Sequence, residues 1–98
     1  MPIRLSTQAI HDLQRIRDHI ALDNPARAVS FIEELRDVAT RIGTMPQAFP
    51  LVPRYERHGI RRRSYRGYGI LYSAQPDQIF IHRILGPGQD HDRALRLK

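Results

Sequence analysis

The residues best suited to chemistry in this chain are its arginines. Arg54, Arg57, Arg61, Arg62, Arg63 and Arg66 crowd one stretch, with Glu56 the only acid among them. Lys98 is the single lysine among 16 basic residues, and a planar guanidinium suits bidentate contact with carboxylate or phosphate while being too basic to carry protons. The chemistry on offer is therefore the binding of an acidic partner, either nucleic acid or an acidic protein segment. The same run would also protect a sheet edge from aggregation. Six arginines against one acid exceed what protection requires, which favours a binding surface.

Five histidines, at 11, 19, 58, 82 and 91, are the groups able to exchange protons near neutral pH. His82, beside Arg83, is a candidate general base, although a strand histidine is more often a packed, hydrogen-bonded residue. Asp90, His91 and Asp92 are consecutive, a spacing that closes poorly on one metal ion. No serine or cysteine nucleophile pattern and no close pair of carboxylates stands out. Gly86-Pro87-Gly88 reads as a turn and not as a phosphate cradle. The expectation is a protein with neither metal nor cofactor.

These side chains need a scaffold, and 98 residues suggest one domain near the size at which burial only just outweighs chain entropy. Residues 1–53 carry six arginines and six acids, whereas 54–98 carry ten basic residues and four acids, so the net charge of +6 lies entirely in the second half. With no cysteine, no signal-like N-terminus and no membrane-length apolar run, the expected location is the cytoplasm.

Pro2 to Leu5 could form a short edge strand, and Ser6 or Thr7 could cap a helix reaching about Leu22, with Ala9, Leu13, Ile16 and Ile20 on its buried stripe and Asp12, Arg15, Asp18 and His19 off it. Asn24-Pro25 restarts the chain as a second helix to Ile42, which Gly43 is placed to end. Two helices with so short a link form an antiparallel hairpin (7–43). Residues 44–58 hold Pro46, Pro50 and Pro53 and read as an extended loop tied down by Met45, Phe49, Leu51 and Val52. Three strands follow within 59–86: Ile60 to Tyr65, Tyr68 to Ser73 and Gln78 to Leu85, joined by tight turns and so antiparallel. The last is apolar on both parities, as a strand with neighbours on both sides should be. Alternation sends Arg61, Arg63 and Tyr65 to one face and Arg62, Ser64 and Arg66 to the other. The tail, 87–98, is charged and could form one helical turn anchored by Leu95 and Leu97. The predicted fold is α+β, in the order β-α-α-β-β-β, with a helical hairpin packed on a mainly antiparallel sheet.

This order of elements resembles the RelE/ParE superfamily of toxins from bacterial type II toxin–antitoxin systems. The resemblance is carried by Asp12-Leu13, Ile16, Ile20, Asp23-Asn24-Pro25, Ala28, Phe31-Ile32, Leu35, Gly59-Ile60-Arg61, Tyr68, Ile70, Tyr72, Ile81, Arg83-Ile84-Leu85 and Asp90, and spans nearly the whole chain. The chain departs from the pattern at Gly86-Pro87-Gly88-Gln89-Asp90, where many relatives carry a histidine and a basic residue before the aspartate. The resemblance implies a small toxin held inactive by a ParD-like or similar antitoxin, whose C-terminal segment wraps the hairpin and the sheet.

The superfamily has two branches. RelE-like members are ribosome-dependent mRNA endoribonucleases that use basic residues with a tyrosine or histidine near the C-terminus; ParE-like members inhibit DNA gyrase and need no catalytic residue. With no aromatic after Phe80 and no lysine before Lys98, the ParE-like branch is favoured. Arg61, Arg63, Arg66 and Arg83 are then expected to meet the target or the antitoxin, with Leu13, Ile16, Phe31 and Leu35 as apolar antitoxin contacts. If the chain is a nuclease, Arg61 and Arg83 would hold phosphate and His82 or His91 would act as base. A nucleic-acid-binding module without toxicity is a further reading, and predicts strongly salt-dependent binding to bare DNA or RNA.

Overall fold

The computed structural model describes residues 1–95. Strand β1 (Ile3–Leu5) leads into helices α1 (Thr7–Ala21) and α2 (Pro25–Ile42); a 3-10 turn (Glu56–His58) precedes strands β2 (Ile60–Tyr65), β3 (Tyr68–Ala74) and β4 (Ile79–Leu85), and a short helix α3 (His91–Leu95) follows. The four strands form one sheet in the order β1-β4-β3-β2. The three later strands are antiparallel, while β1 lies parallel to β4, with Ile3 opposite Ile79 and Leu5 opposite Ile81. The doubly apolar β4 is thus an inner strand, as its sequence predicts.

Ser6 joins sheet to hairpin. Its amide donates to Ile81 O at 2.9 Å, its hydroxyl donates to His82 O at 2.6 Å, and the same oxygen accepts from Ala9 N at 3.0 Å to cap α1. Asn24 caps α2 through Arg27 N, with Pro25 in the first turn. Gly43 does end α2, but with a right-handed φ of −60°. Its missing side chain serves another purpose: a Cβ there would stand 2.7 Å from the carbonyl oxygen of Met1.

One core lies between the hairpin and the sheet, built from Ile16, Phe31, Leu35 and Ile42 on the helices against Ile70, Tyr72, Ile79, Ile81 and Ile84. A register shift between Leu71 and Tyr72 skips His82 and lets both Ile81 and Ile84 face the helices. A second, smaller core covers the other face, where Val52 and Tyr55 of the proline loop sit on Ile60, Leu71 and Leu85, with Ala94 and Leu95 of α3 against them. Leu97 lies outside the described residues.

The loop is held partly as expected: Phe49 and Val52 pack on the two cores, whereas Met45 and Leu51 are exposed. Backbone bonds complete the tie, Val52 N to Ile60 O at 2.8 Å and Arg62 N to Pro50 O at 3.0 Å, so residues 50–52 shield the outer edge of β2. Among the described residues no helix is long and apolar enough to cross a membrane.

Candidate functional site

The arginines of β2 divide between the faces of the sheet as alternation requires. On the helix side, Arg61 donates to Phe49 O at 2.7 Å and the Arg63 guanidinium stacks 5.0 Å from the Phe49 ring, so both brace the proline loop. Tyr65, next on that face, donates to Glu34 of α2 at 2.6 Å, and Glu34 also accepts from Arg27. These two bonds, Arg27 first, pull the Glu34 carboxyl down to about 2. Arg66, expected on the opposite face with Arg62, instead joins the edge of this cluster, 3.2 Å from the Tyr65 hydroxyl with its guanidinium over the ring, because β2 has ended and its left-handed φ of 50° breaks the alternation. On the opposite face Arg62 reaches Ser64 Oγ at 2.9 Å and His91 Nε2 at 2.6 Å.

Arg83 is a correction to its expected place at a surface. Its side chain is 15% exposed and clamps Asp12 of α1 bidentately, Nε to Oδ2 at 2.7 Å and Nη2 to Oδ1 at 2.9 Å. Asp12 also accepts from Ile84 N at 2.9 Å and from Arg15. β1 has ended at this point, so the Asp12 carboxylate takes the place of a neighbouring strand for the Ile84 amide. The bond to Asp12 raises the Arg83 pKa. Asp12 itself is 1% exposed, although its polarity suggested the solvent side of α1. The signal was present in its spacing: position 12 is three residues after Ala9 and four before Ile16, on the buried stripe.

The expected apolar contacts also need correcting. Ile16, Phe31 and Leu35 are buried in the main core, although Ile16 also borders a surface pocket beside Tyr68 and Ile84. Leu13 does line an open groove of about 640 Å³ between β1 and the two helices. Ile3, Leu5, Ile10 and Ile32 extend its apolar wall, and Arg4, Arg17 and Arg36, one from each bordering element, stand around it. None of these arginines belongs to the 54–66 run, and spread singly through 1–53 they carry no sequence signal. Pro2 O and Ser6 N are turned to β4, so the alternation of strand bonds turns the N–H and C=O groups of Ile3 and Leu5 toward the outer edge, beside the groove.

The four residues of a nuclease centre are not brought to one point. Arg61 is occupied with the loop, Arg83 with Asp12 and His91 with Arg62, while the ring of His82 bonds Ser73 Oγ at 2.9 Å and packs edge-on to Phe80. Burial lowers the pKa of both histidines, for His91 with help from Arg62. Among the described residues no three histidine, aspartate or glutamate side chains are gathered as metal ligands would be.

The arrangement matches a known kind of protein. The family model for the ParE toxin of type II toxin–antitoxin systems, parDE, matches residues 3–91. This chain belongs to the ParE toxin family. Two solved structures share the fold of this toxin. One, from the chromosomal ParDE toxin–antitoxin system of P. aeruginosa, is 20% identical with a TM-score of 0.73, covering 89% of this chain and 96% of that one. The other, from the RelBE2 toxin–antitoxin complex of Mycobacterium tuberculosis, is 19% identical with a TM-score of 0.65, covering 87% and 95%. No curated protein gives a significant match.

Proposed function

We propose that this ParE-family toxin is neutralised by an antitoxin segment seated in the groove between β1 and the hairpin, and that its target is DNA gyrase. The groove carries the first half of the reading. An apolar trough about 640 Å³ in volume, edged by three arginines and by unpaired strand groups, offers what an extended or helical acidic segment needs: apolar pockets, cation partners and an edge to pair with. Both structural neighbours bear the names of toxin–antitoxin systems, in keeping with this assignment.

The gyrase target rests on the family and on how the arginines are used. A toxin that cuts RNA itself needs a proton carrier beside its phosphate contacts, and here Arg61, Arg83 and His82 are each bound elsewhere. A RelE-like ribonuclease is the second reading, favoured by one contact, the Arg62 guanidinium against the His91 ring.

Two assays on the free toxin separate these targets: gyrase supercoiling with trapping of cleaved DNA, and mRNA cleavage on translating ribosomes. Trapped gyrase with intact mRNA is the expected result; cut mRNA with unaffected gyrase overturns it. For the groove, Ile10→Glu, at a residue 46% exposed, and Arg36→Glu should weaken capture of the antitoxin encoded beside the toxin while leaving the melting temperature nearly unchanged. Undiminished capture by the double variant would sink the docking assignment.

A further inference from the structure

Of the four serines in the chain only Ser64 is exposed. It stands near the end of β2, directly after Arg61, Arg62 and Arg63. Its cross-strand partner is Gly69, which puts no side chain beside it. The Arg62 guanidinium lies in that space instead, where a Cβ at 69 would have to be. From there Arg62 donates Nε to Ser64 Oγ at 2.9 Å, and its Nη1 meets His91 Nε2 at 2.6 Å. The serine oxygen therefore accepts a bond, and among the described residues nothing takes its proton. The other three serine hydroxyls are engaged: Ser6 with His82 O and the cap of α1, Ser30 with Arg27, and Ser73 with His82.

The backbone at this point is open as well. Arg62 N–H is turned outward to Pro50 O at 3.0 Å, and two residues on, alternation turns the Ser64 N–H to the same edge, past the shield that residues 50–52 provide. An extended segment with an open edge, an exposed hydroxyl and three cations just before it suits a protein kinase with an acidic substrate cleft. The product would also find a holder. A phosphate on Oγ brings three acceptor oxygens and about −1.5 to −2 charge. The Nε–Nη2 edge of Arg62 already points at Oγ through Nε, and Nη2 bonds nothing among the described residues. That edge can take two phosphate oxygens in the planar fashion a guanidinium favours, while Nη1 keeps His91.

We propose that Ser64 is a phosphoryl-acceptor site, filled by a serine kinase that reads the arginine run, and that Arg62 holds the phosphate and carries its effect to α3 through His91. In the step itself Ser64 Oγ attacks the terminal phosphorus of a nucleoside triphosphate. The Oγ–P bond forms, the bond from that phosphorus to the bridging oxygen breaks, nucleoside diphosphate leaves, and the hydroxyl proton passes to the base of the kinase. The net charge of the chain falls from +6 to about +4. His91 meets the positive charge of Arg62 directly, with Asp90 and Asp92 of its own segment acting the other way and Arg54 taken up by Asp92. A phosphate that offsets Arg62 lets His91 keep its proton to higher pH. No residue of the groove takes part, so the site stands or falls apart from the antitoxin reading and from the choice of target.

The test incubates the intact, folded toxin with magnesium ATP and the catalytic subunit of a serine kinase that prefers basic substrates, followed by mass spectrometry of the chain and its fragments. The expected result is one phosphate, on Ser64, and none in Ser64→Ala. Phosphorus NMR then titrates the product: its midpoint should lie about one pH unit below the value of about 6 usual for a phosphoserine. Arg62→Gln, with phosphoserine installed at 64 during synthesis so that the kinase is not needed, should bring that midpoint back up. Proton NMR should show the His91 ring titrating at higher pH in the phosphorylated chain than in the parent. The proposal is overturned if no phosphate enters the folded toxin, if it enters another residue in place of Ser64, if its midpoint is the same with Arg62 as with Arg62→Gln, or if the His91 titration does not move.

Discussion

Asp12 is the residue whose replacement should cost this toxin most. Its carboxylate is 1% exposed and receives bonds from Arg83, Arg15 and the Ile84 amide, and among the described residues no buried side-chain polar atom lacks a partner. Asp12→Ala strands a guanidinium that is 15% exposed together with a backbone N–H. Breaking a buried pair by removing one partner costs about 3–5 kcal/mol, and the orphaned amide about 1–3 kcal/mol more where water cannot reach it. We expect a loss of about 4 kcal/mol, since the two overlap and Arg83 keeps its bond to Ala94 O. A domain of this size has about 5–15 kcal/mol in all, so the variant should melt at least about 15 °C lower. Urea unfolding followed by circular dichroism, with the slope m unchanged, measures this. Replacing both partners, Asp12→Leu with Arg83→Met, should recover part of the loss, because no lone charge is then buried although the Ile84 amide stays unpaired. A stability of Asp12→Ala within about 0.5 kcal/mol of the parent would refute the reasoning, as this is the range of an ordinary surface change.

The same logic gives two further expectations. Glu34, held near 2 in the folded chain against an ordinary 4.5, contributes stability that is complete above about pH 4.5 and fades as pH falls toward 2; melts of parent and Glu34→Gln across pH 6 to 2 should converge at the acid end, and a constant difference would contradict the pairing. His82 is depressed by burial and by His58, so the unfolded chain binds its proton more readily and stability falls as pH drops below about 6.5. His82→Gln should flatten that part of the curve, and an imidazole titration by NMR with a midpoint at or above 6.5 would contradict the assignment.

Much of the architecture was legible in the sequence because several local signals agreed. Asn24-Pro25 marked the start of α2, the turns at Arg66-Gly67 and Pro76-Asp77 bounded β3, and the double-sided apolarity of β4 gave its inner position. What stayed hidden depends on contacts far apart in the chain. Asp12 and Arg83 are 71 residues apart, and each alone looks like an ordinary surface charge. An apolar stripe likewise does not say which members face the sheet and which line a groove. Ile16, Phe31 and Leu35 went to the core, whereas Leu13, packed at that core's margin, lines the groove beside the edge strand β1.

The pairing of β1 with β4 also imposes an order in time. Ser6 bonds the backbone of His82 across 76 residues, and a ribosome adding about 5–20 residues per second needs about 4–15 s to make that stretch. During the interval the hairpin can form, but Ile3 to Leu5 have nothing to pair with, and the wall they give the groove does not exist. On the proposed seating, a newborn toxin therefore has a period in which its antitoxin has no complete site, and capture would wait on the closure of the sheet.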